Sequence, residues 1–241
     1  MRNKMLIPVP RLPDGGRVRP RGFSGGRLDI GRDAGGVASA ELYGEIGCEG
    51  LTSGEMRAWM AEIGGRDVEI TVNSIGGDVF EGIAIYNDLV ALSGRVTVVV
   101  TGIAASAASV VAMAGDHIVI AENAAMMLHN AWVAVEGDHR ILAELVPVLE
   151  KTSEGMAATY AARSGQPIER VREMMDAETH LAAHEAVELG FADEVRPIAG
   201  RGARQTDELL IAGRRRPRGR SDAFLAELGA DASARRERRY T

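Results

Sequence analysis

The chain has 241 residues, 46% hydrophobic and 26% charged, with a formal net charge of −6, which is enough to bury one sizeable core without covalent staples. Its single cysteine, Cys48, excludes an intrachain disulfide framework and a cysteine-rich zinc site, and no uninterrupted apolar run of about 18 residues offers a membrane span. Charge is uneven: residues 1–36 carry eight Lys/Arg against three acids, residues 200–241 eleven Arg against six acids, and −16 is left for residues 37–199. An acidic body with basic ends is not the profile of a nucleic-acid-binding domain, so nucleic acid is expected only at the tails.

The apolar stretch within residues 1–10 is broken by prolines and too short for a signal peptide, so a reducing, cytoplasmic setting is expected. Residues 8–36 are rich in Gly, Pro and Arg with little apolar periodicity, and the whole of 1–36 reads as a mobile basic arm. Residues 68–72 (VEITV) predict a strand and 80–92 a helix. The nearly all-apolar 96–101 predicts a strand covered on both faces. A helix of small residues is expected over 106–114, then short strands at 117–120 and 126–128 separated by a turn at Glu122-Asn123. Residues 138–163 are helix-rich, with Pro147 expected to kink or break them. Helices over 167–176 and 184–189 and a strand over 191–195 close the domain. Residues 200–241 read as an unstructured Arg-rich tail, with a short amphipathic piece at 223–228. Alternating β and α patterns argue for an α/β fold of mostly parallel strands with right-handed crossovers.

Three segments can carry chemistry. In Thr101-Gly102-Ile103-Ala104-Ala105-Ser106-Ala107-Ala108-Ser109 a strand runs into a helix start. A serine there sits among free N–H groups at the positive end of the helix dipole, which favours developing negative charge. On this segment alone the commoner reading of Ser106 is an N-cap or a small residue for close packing. In Asn73-Ser74-Ile75-Gly76-Gly77-Asp78 a glycine pair follows a strand and frees backbone N–H groups for a phosphate or an oxyanion. Without a Walker lysine or Gly-x-Gly-x-x-Gly spacing, nucleotide binding is disfavoured. His129 ends the apolar run Ala125-Met126-Met127-Leu128, where an α/β fold tends to expose its functional groups, although a lone histidine is often structural. His117, His139, His180 and His184 show no metal-ligating spacing.

Taken together these segments resemble the proteolytic subunit of Clp protease, and specifically the shorter ClpP-like serine peptidases of tailed phages and prophages that mature heads. The likeness runs over residues 41–195 in five ordered motifs. They are Leu42-Tyr43-Gly44-Glu45-Ile46; Val72-Asn73-Ser74-Ile75-Gly76-Gly77-Asp78 with the helix after it; Gly102 through Asp116; Met126-Met127-Leu128-His129-Asn130; and Met175-Asp176-Ala177-Glu178-Thr179-His180-Leu181 through Asp193. The resemblance implies a ClpP/crotonase-like spiral of βαβ units with a helical handle at 138–163. It implies Ser106 as nucleophile, His129 as general base and Glu178 as the orienting acid, with Asp176 as rival. Ser109 falls to a structural role, and the oxyanion hole to the N–H groups of Gly77 and Ala107. Ile75 stands where the family usually has proline, His180 where it has a large aromatic, and His184 where Pro or Glu is commoner.

The resemblance leads to the expectation of a serine endopeptidase without metal, nucleotide or other cofactor. It would process capsid or scaffold protein during head maturation and assemble as a homo-oligomer, a heptameric ring or two stacked rings. One alternative is a chamber protease fed by an ATP-driven AAA+ unfoldase. From other classes come a crotonase-like acyl-CoA enzyme and a catalytically inactive ring. No membrane partner is expected.

Overall fold

The computed structural model describes residues 27–32 (main chain), 37–47 and 50–197. The basic arm before residue 27, the Arg-rich tail with its amphipathic piece, and Cys48 lie outside the described residues.

A sheet of eight strands organises the fold, with β1 (Arg27–Arg32), β2 (Ala38–Ile46), β3 (Val68–Gly77), β4 (Val96–Ala105), β5 (His117–Ala121) and β8 (Glu194–Arg196) side by side in the order β1-β2-β3-β4-β5-β8. From β2 to β8 every neighbour is parallel, while β1 runs antiparallel along β2. The mixed, mainly parallel α/β architecture expected from the alternating sequence is therefore present. Arg27–Arg32, assigned by composition to the arm, instead forms β1, because its main chain finds the open edge of β2. Tertiary pairing overrides weak local propensity there.

Helix α1 (Ser53–Ile63) is not among the helices expected from periodicity, although its start is written in Thr52 and Glu55. The Thr52 N–H donates to the Glu55 carboxylate at 2.9 Å and the Glu55 N–H to Thr52 Oγ1 at 3.3 Å, closing a capping box. Met56, Trp59, Met60 and Ile63, at helical spacing, are its buried face. Helix α2 (Val79–Val90) begins at Asp78, whose carboxylate accepts from the N–H groups of Phe80 and Glu81. Helix α3 (Ala107–Ala112) is wholly buried and packs against α2, β3 and β4, which its small side chains allow.

Strand β4 decides where the site forms. Thr97–Val100 pairs with β5, whereas Ile103–Ala105 pairs with β6 (Ala125–Met127), so the sheet divides along one strand. β6 continues antiparallel to β7 (His180–Ala182). The C-terminal ends of β3, β4 and β6 thus meet, as expected for chemistry in parallel α/β sheets. Helix α4 (His139–Ser164) runs unbroken through Pro147, so the proline does not end the helix. Here a proline removes one hydrogen bond from a helix of 26 residues, and the rest of the ladder holds. Helix α5 (Ile168–Asp176), the turn to β7, and α6 (Ala183–Glu188) complete the described fold.

Candidate active site

Ser106 joins β4 to α3 with φ 55° and ψ −128°, a left-handed φ that costs a non-glycine residue about 1–3 kcal/mol and persists only where surroundings impose it. It occupies the N-cap position of α3 but makes no side-chain capping bond. Its Oγ instead lies 2.6 Å from His129 Nε2. The hydroxyl is thus engaged with the imidazole and not with a helix cap. With Nε2 unprotonated, the serine hydroxyl donates to it, the arrangement an activated nucleophile needs.

Main-chain and side-chain hydrogen bonds hold the histidine segment. The Ser106 N–H donates to Met127 O at 3.0 Å, and the Leu128 N–H donates to Thr179 O at 3.0 Å. Just after the ring, Asn130 Nδ2 donates to Asp176 Oδ1 at 2.7 Å, and the Ala131 N–H donates to Ser153 Oγ at 3.0 Å. Burial holds the His129 imidazole below the usual histidine range, and the negative charge of Glu178 pulls the other way. Of the two acid candidates, Asp176 accepts from Asn130, while the negative charge of Glu178 is felt at His129. Glu178 also has a positive φ, 48°, in a turn fixed by Thr179, whose N–H and Oγ1 both donate to Met174 O.

The glycine pair lies against the nucleophile. A Cβ on Gly76, at φ 88°, would come within 2.7 Å of Ala105 O, 2.8 Å of Ala107 N and 2.8 Å of Ser106 Cβ. On Gly77 it would sit 2.0 Å from Ile46 O. No other residue type fits at either position. The Gly76 N–H is committed to Ser74 Oγ at 3.1 Å, and the Asp78 N–H to Ile46 O at 2.9 Å. Gly77 stands between them. Ala107, as the first residue of α3, has no intrahelical acceptor for its N–H. Ser74 itself, buried and donating to Gly44 O at 2.5 Å, fixes this turn.

Ser106, His129, Gly76 and Gly77 open together onto a cavity of about 390 Å³. Its remaining wall is mostly apolar and includes Ile75, Phe80, Trp132, Leu145, Val148 and Met156. Phe80 and Trp132 are 60% and 70% exposed. None of the other histidines lines the cavity. His117 pairs with Asp193 and Glu194, and His180 Nδ1 lies 3.1 Å from Glu178 O. Ser74, Thr179, Ser153 and Trp132 take no role from the sequence alone, although Ser74 and Thr179 lie inside its motifs. Only Trp132, a large apolar residue three positions after His129, carried a signal of its own.

Residues 54–198 match the Clp protease family. Among curated proteins, the ATP-dependent Clp protease proteolytic subunit 3 of Rhodococcus jostii (strain RHA1) is 30% identical over 132 residues, covering 54% of this chain and 65% of that protein. The ATP-dependent Clp protease proteolytic subunit of Oltmannsiellopsis viridis is 32% identical over 138 residues, covering 56% of this chain and 70% of that protein. The chain thus spans about two thirds of the length of these relatives. With more than half of its own length matched and its serine and histidine joined at the strand ends, the chain belongs to the Clp protease family.

Proposed function

We propose that the protein is a serine endopeptidase of the ClpP type in which Ser106 attacks the scissile carbonyl. The observation that carries this reading is the 2.6 Å contact between Ser106 Oγ and His129 Nε2 at the mouth of an apolar cavity. His129 takes the hydroxyl proton as the Oγ–carbon bond forms, then returns it to the leaving amine; water repeats the sequence to release the acyl group. The N–H groups of Gly77 and Ala107 receive the oxyanion, and the Glu178 carboxylate steadies the imidazolium. The apolar wall suits a bulky apolar substrate side chain beside the cleaved bond. A crotonase-type reaction would leave the serine–histidine contact without a purpose, which ranks it below.

The finer reading is that of a head-maturation protease acting on capsid or scaffold protein, supported by the resemblance of Ala177-Glu178-Thr179 to the segment often found in the phage members of the family. A second reading, a subunit served by an ATP-driven unfoldase, is favoured by the names of the two relatives. Either would work as a homo-oligomeric ring. The exposed Ile141, Leu142, Val146 and Val148 on α4 are apolar surface that such an assembly would cover.

Labelling the full chain with a fluorophosphonate probe and reading intact mass tests the chemistry. Single-site labelling of the wild type and of Ser109→Ala, abolished in Ser106→Ala, is expected. Labelling that survives Ser106→Ala overturns the assignment. Cleavage of capsid or scaffold protein without ATP, set against ATP-dependent degradation with an unfoldase, then separates the two biological readings.

A further inference from the structure

One buried polar group stands apart from the reacting atoms yet touches their supports. Ser109, fully buried on α3, places its Oγ 2.7 Å from Ser106 O, 2.9 Å from Met127 O and 2.8 Å from the hydroxyl of Tyr160. Tyr160 is also fully buried and comes from α4. Two of Ser109's three partners are carbonyl oxygens, which only accept, and a serine hydroxyl has one proton to give. That proton goes to a carbonyl, so the Tyr160 O–H donates to Ser109 Oγ. Burial raises the Tyr160 phenol well above its usual range and keeps it protonated, as a donor must be.

Both carbonyls lie on the main chain that carries the serine and the histidine. Met127 O also accepts the Ser106 N–H at 3.0 Å. Met127 precedes His129 by two residues, and Ser106 O begins the first turn of α3, accepting from the N–H groups of Ser109 and Val110. The donor chain from Tyr160 through Ser109 therefore ends on one of two carbonyls, Ser106 O or Met127 O, at the junction where the Ser106 N–H to Met127 O bond joins the nucleophile and base segments.

We infer that Tyr160 is a positioning residue: its hydroxyl, donating to Ser109, directs the Ser109 proton onto the main-chain junction where Ser106 meets Met127 and so holds the hydrogen bond from Ser106 Oγ to His129 Nε2 in reacting geometry. This rests on Ser106 being the nucleophile. It ties the long helix α4 to the reacting pair through a hydroxyl that touches neither substrate nor reacting atoms. Catalytic rates fall steeply with small displacements of such pairs, so losing this restraint lowers the rate of the covalent step while leaving ligand binding in the cavity intact.

The test is saturation kinetics of fluorophosphonate labelling, which separates the maximal rate of Ser106 acylation from the probe's affinity. Tyr160→Phe keeps the ring and its packing against Phe191 (centroids 6.1 Å apart) and removes only the hydroxyl. The expected result is a maximal rate about tenfold lower with unchanged probe affinity. The Ser109→Ala/Tyr160→Phe double variant should be no slower than Ser109→Ala alone, because the two groups act in series. Ile63→Val, in the buried face of α1, serves as the control for general loss of stability. Wild-type rates in Tyr160→Phe, an equal slowing in Ile63→Val, or independent effects that multiply in the double variant would each overturn the positioning role. A wild-type protein that fails to label at Ser106 would overturn the nucleophile assignment, and the role of Tyr160 with it. Labelling of the wild type with no change in Tyr160→Phe removes the positioning role alone.

Discussion

Gly76→Ala offers a sharp test of the site geometry, because the structure separates its effects through a second glycine. Gly64 and Gly76 both have positive φ, 63° and 88°. A Cβ on Gly64 meets nothing within 4 Å, whereas one on Gly76 meets Ala105 O at 2.7 Å, Ala107 N at 2.8 Å and Ser106 Cβ at 2.8 Å. Gly64→Ala therefore reports the conformational cost alone, about 1–2 kcal/mol, or roughly 2–8 °C in Tm for a domain of this size. Gly76→Ala carries the same cost plus overlap with three atoms, two of them backbone. Overpacking of this kind adds about 1–3 kcal/mol, for a total near 2–5 kcal/mol. The chain relieves the overlap by moving Ser106 and Ala107, so acylation of Ser106 should fall about 10²-fold, the scale of a displacement near 1 Å. Differential scanning calorimetry and fluorophosphonate labelling well below each Tm measure the two quantities separately. Gly64→Ala should lose stability and keep its labelling rate. If Gly76→Ala is no less stable than Gly64→Ala and labels at the wild-type rate, the packing of the glycine turn on the nucleophile is refuted.

Glu178→Gln removes the charge that raises the His129 pKa and leaves the burial that lowers it. The neutral imidazole is the base, so the acid limb of the labelling rate should move to lower pH while the plateau falls on the order of 10²-fold; a limb that moves to higher pH contradicts the arrangement. Asp176→Ala, by contrast, frees Asn130 and should leave the midpoint of that limb in place; the same pH titration decides. Trp132→Ala should weaken competition by peptides with bulky apolar side chains about threefold to tenfold. The effect stays modest because Trp132 is 70% exposed and loses only part of a full burial energy. Unchanged competition across a peptide series would remove Trp132 from the substrate wall.

Much of this protein is legible in the linear sequence because its elements obey strong local rules. The apolar run that becomes β4 and the small-residue run that becomes α3 announce a covered strand and a tightly packed helix. Ser106, the glycine pair and His129 stand at element ends, where an α/β sheet presents functional groups. The missed elements fail for identifiable reasons. β7 buries only Leu181, runs straight into α6 and shows no apolar run of its own, and β1 is a strand only because β2 offers it an edge. α1 was readable from Thr52, Glu55 and the spacing of Met56, Trp59, Met60 and Ile63.

The order of residues along the chain dictates which types reach the strand ends: a serine after β4, glycines closing β3, a histidine after β6. Their meeting is a product of folding, since β4 changes partner from β5 to β6 midway and brings Met127 to the main chain of Ser106. Folding also separates the acids. Asp176 and Glu178 are two residues apart, and nothing in their spacing tells them apart. Asp176 is tied to Asn130, while the charge of Glu178 is felt at the imidazole. The restraint from Tyr160 is equally silent in sequence, because it joins residues 51 positions apart through a single buried hydroxyl. Local patterns report backbone periodicity and exposure; contacts between distant side chains exist only once the chain has folded.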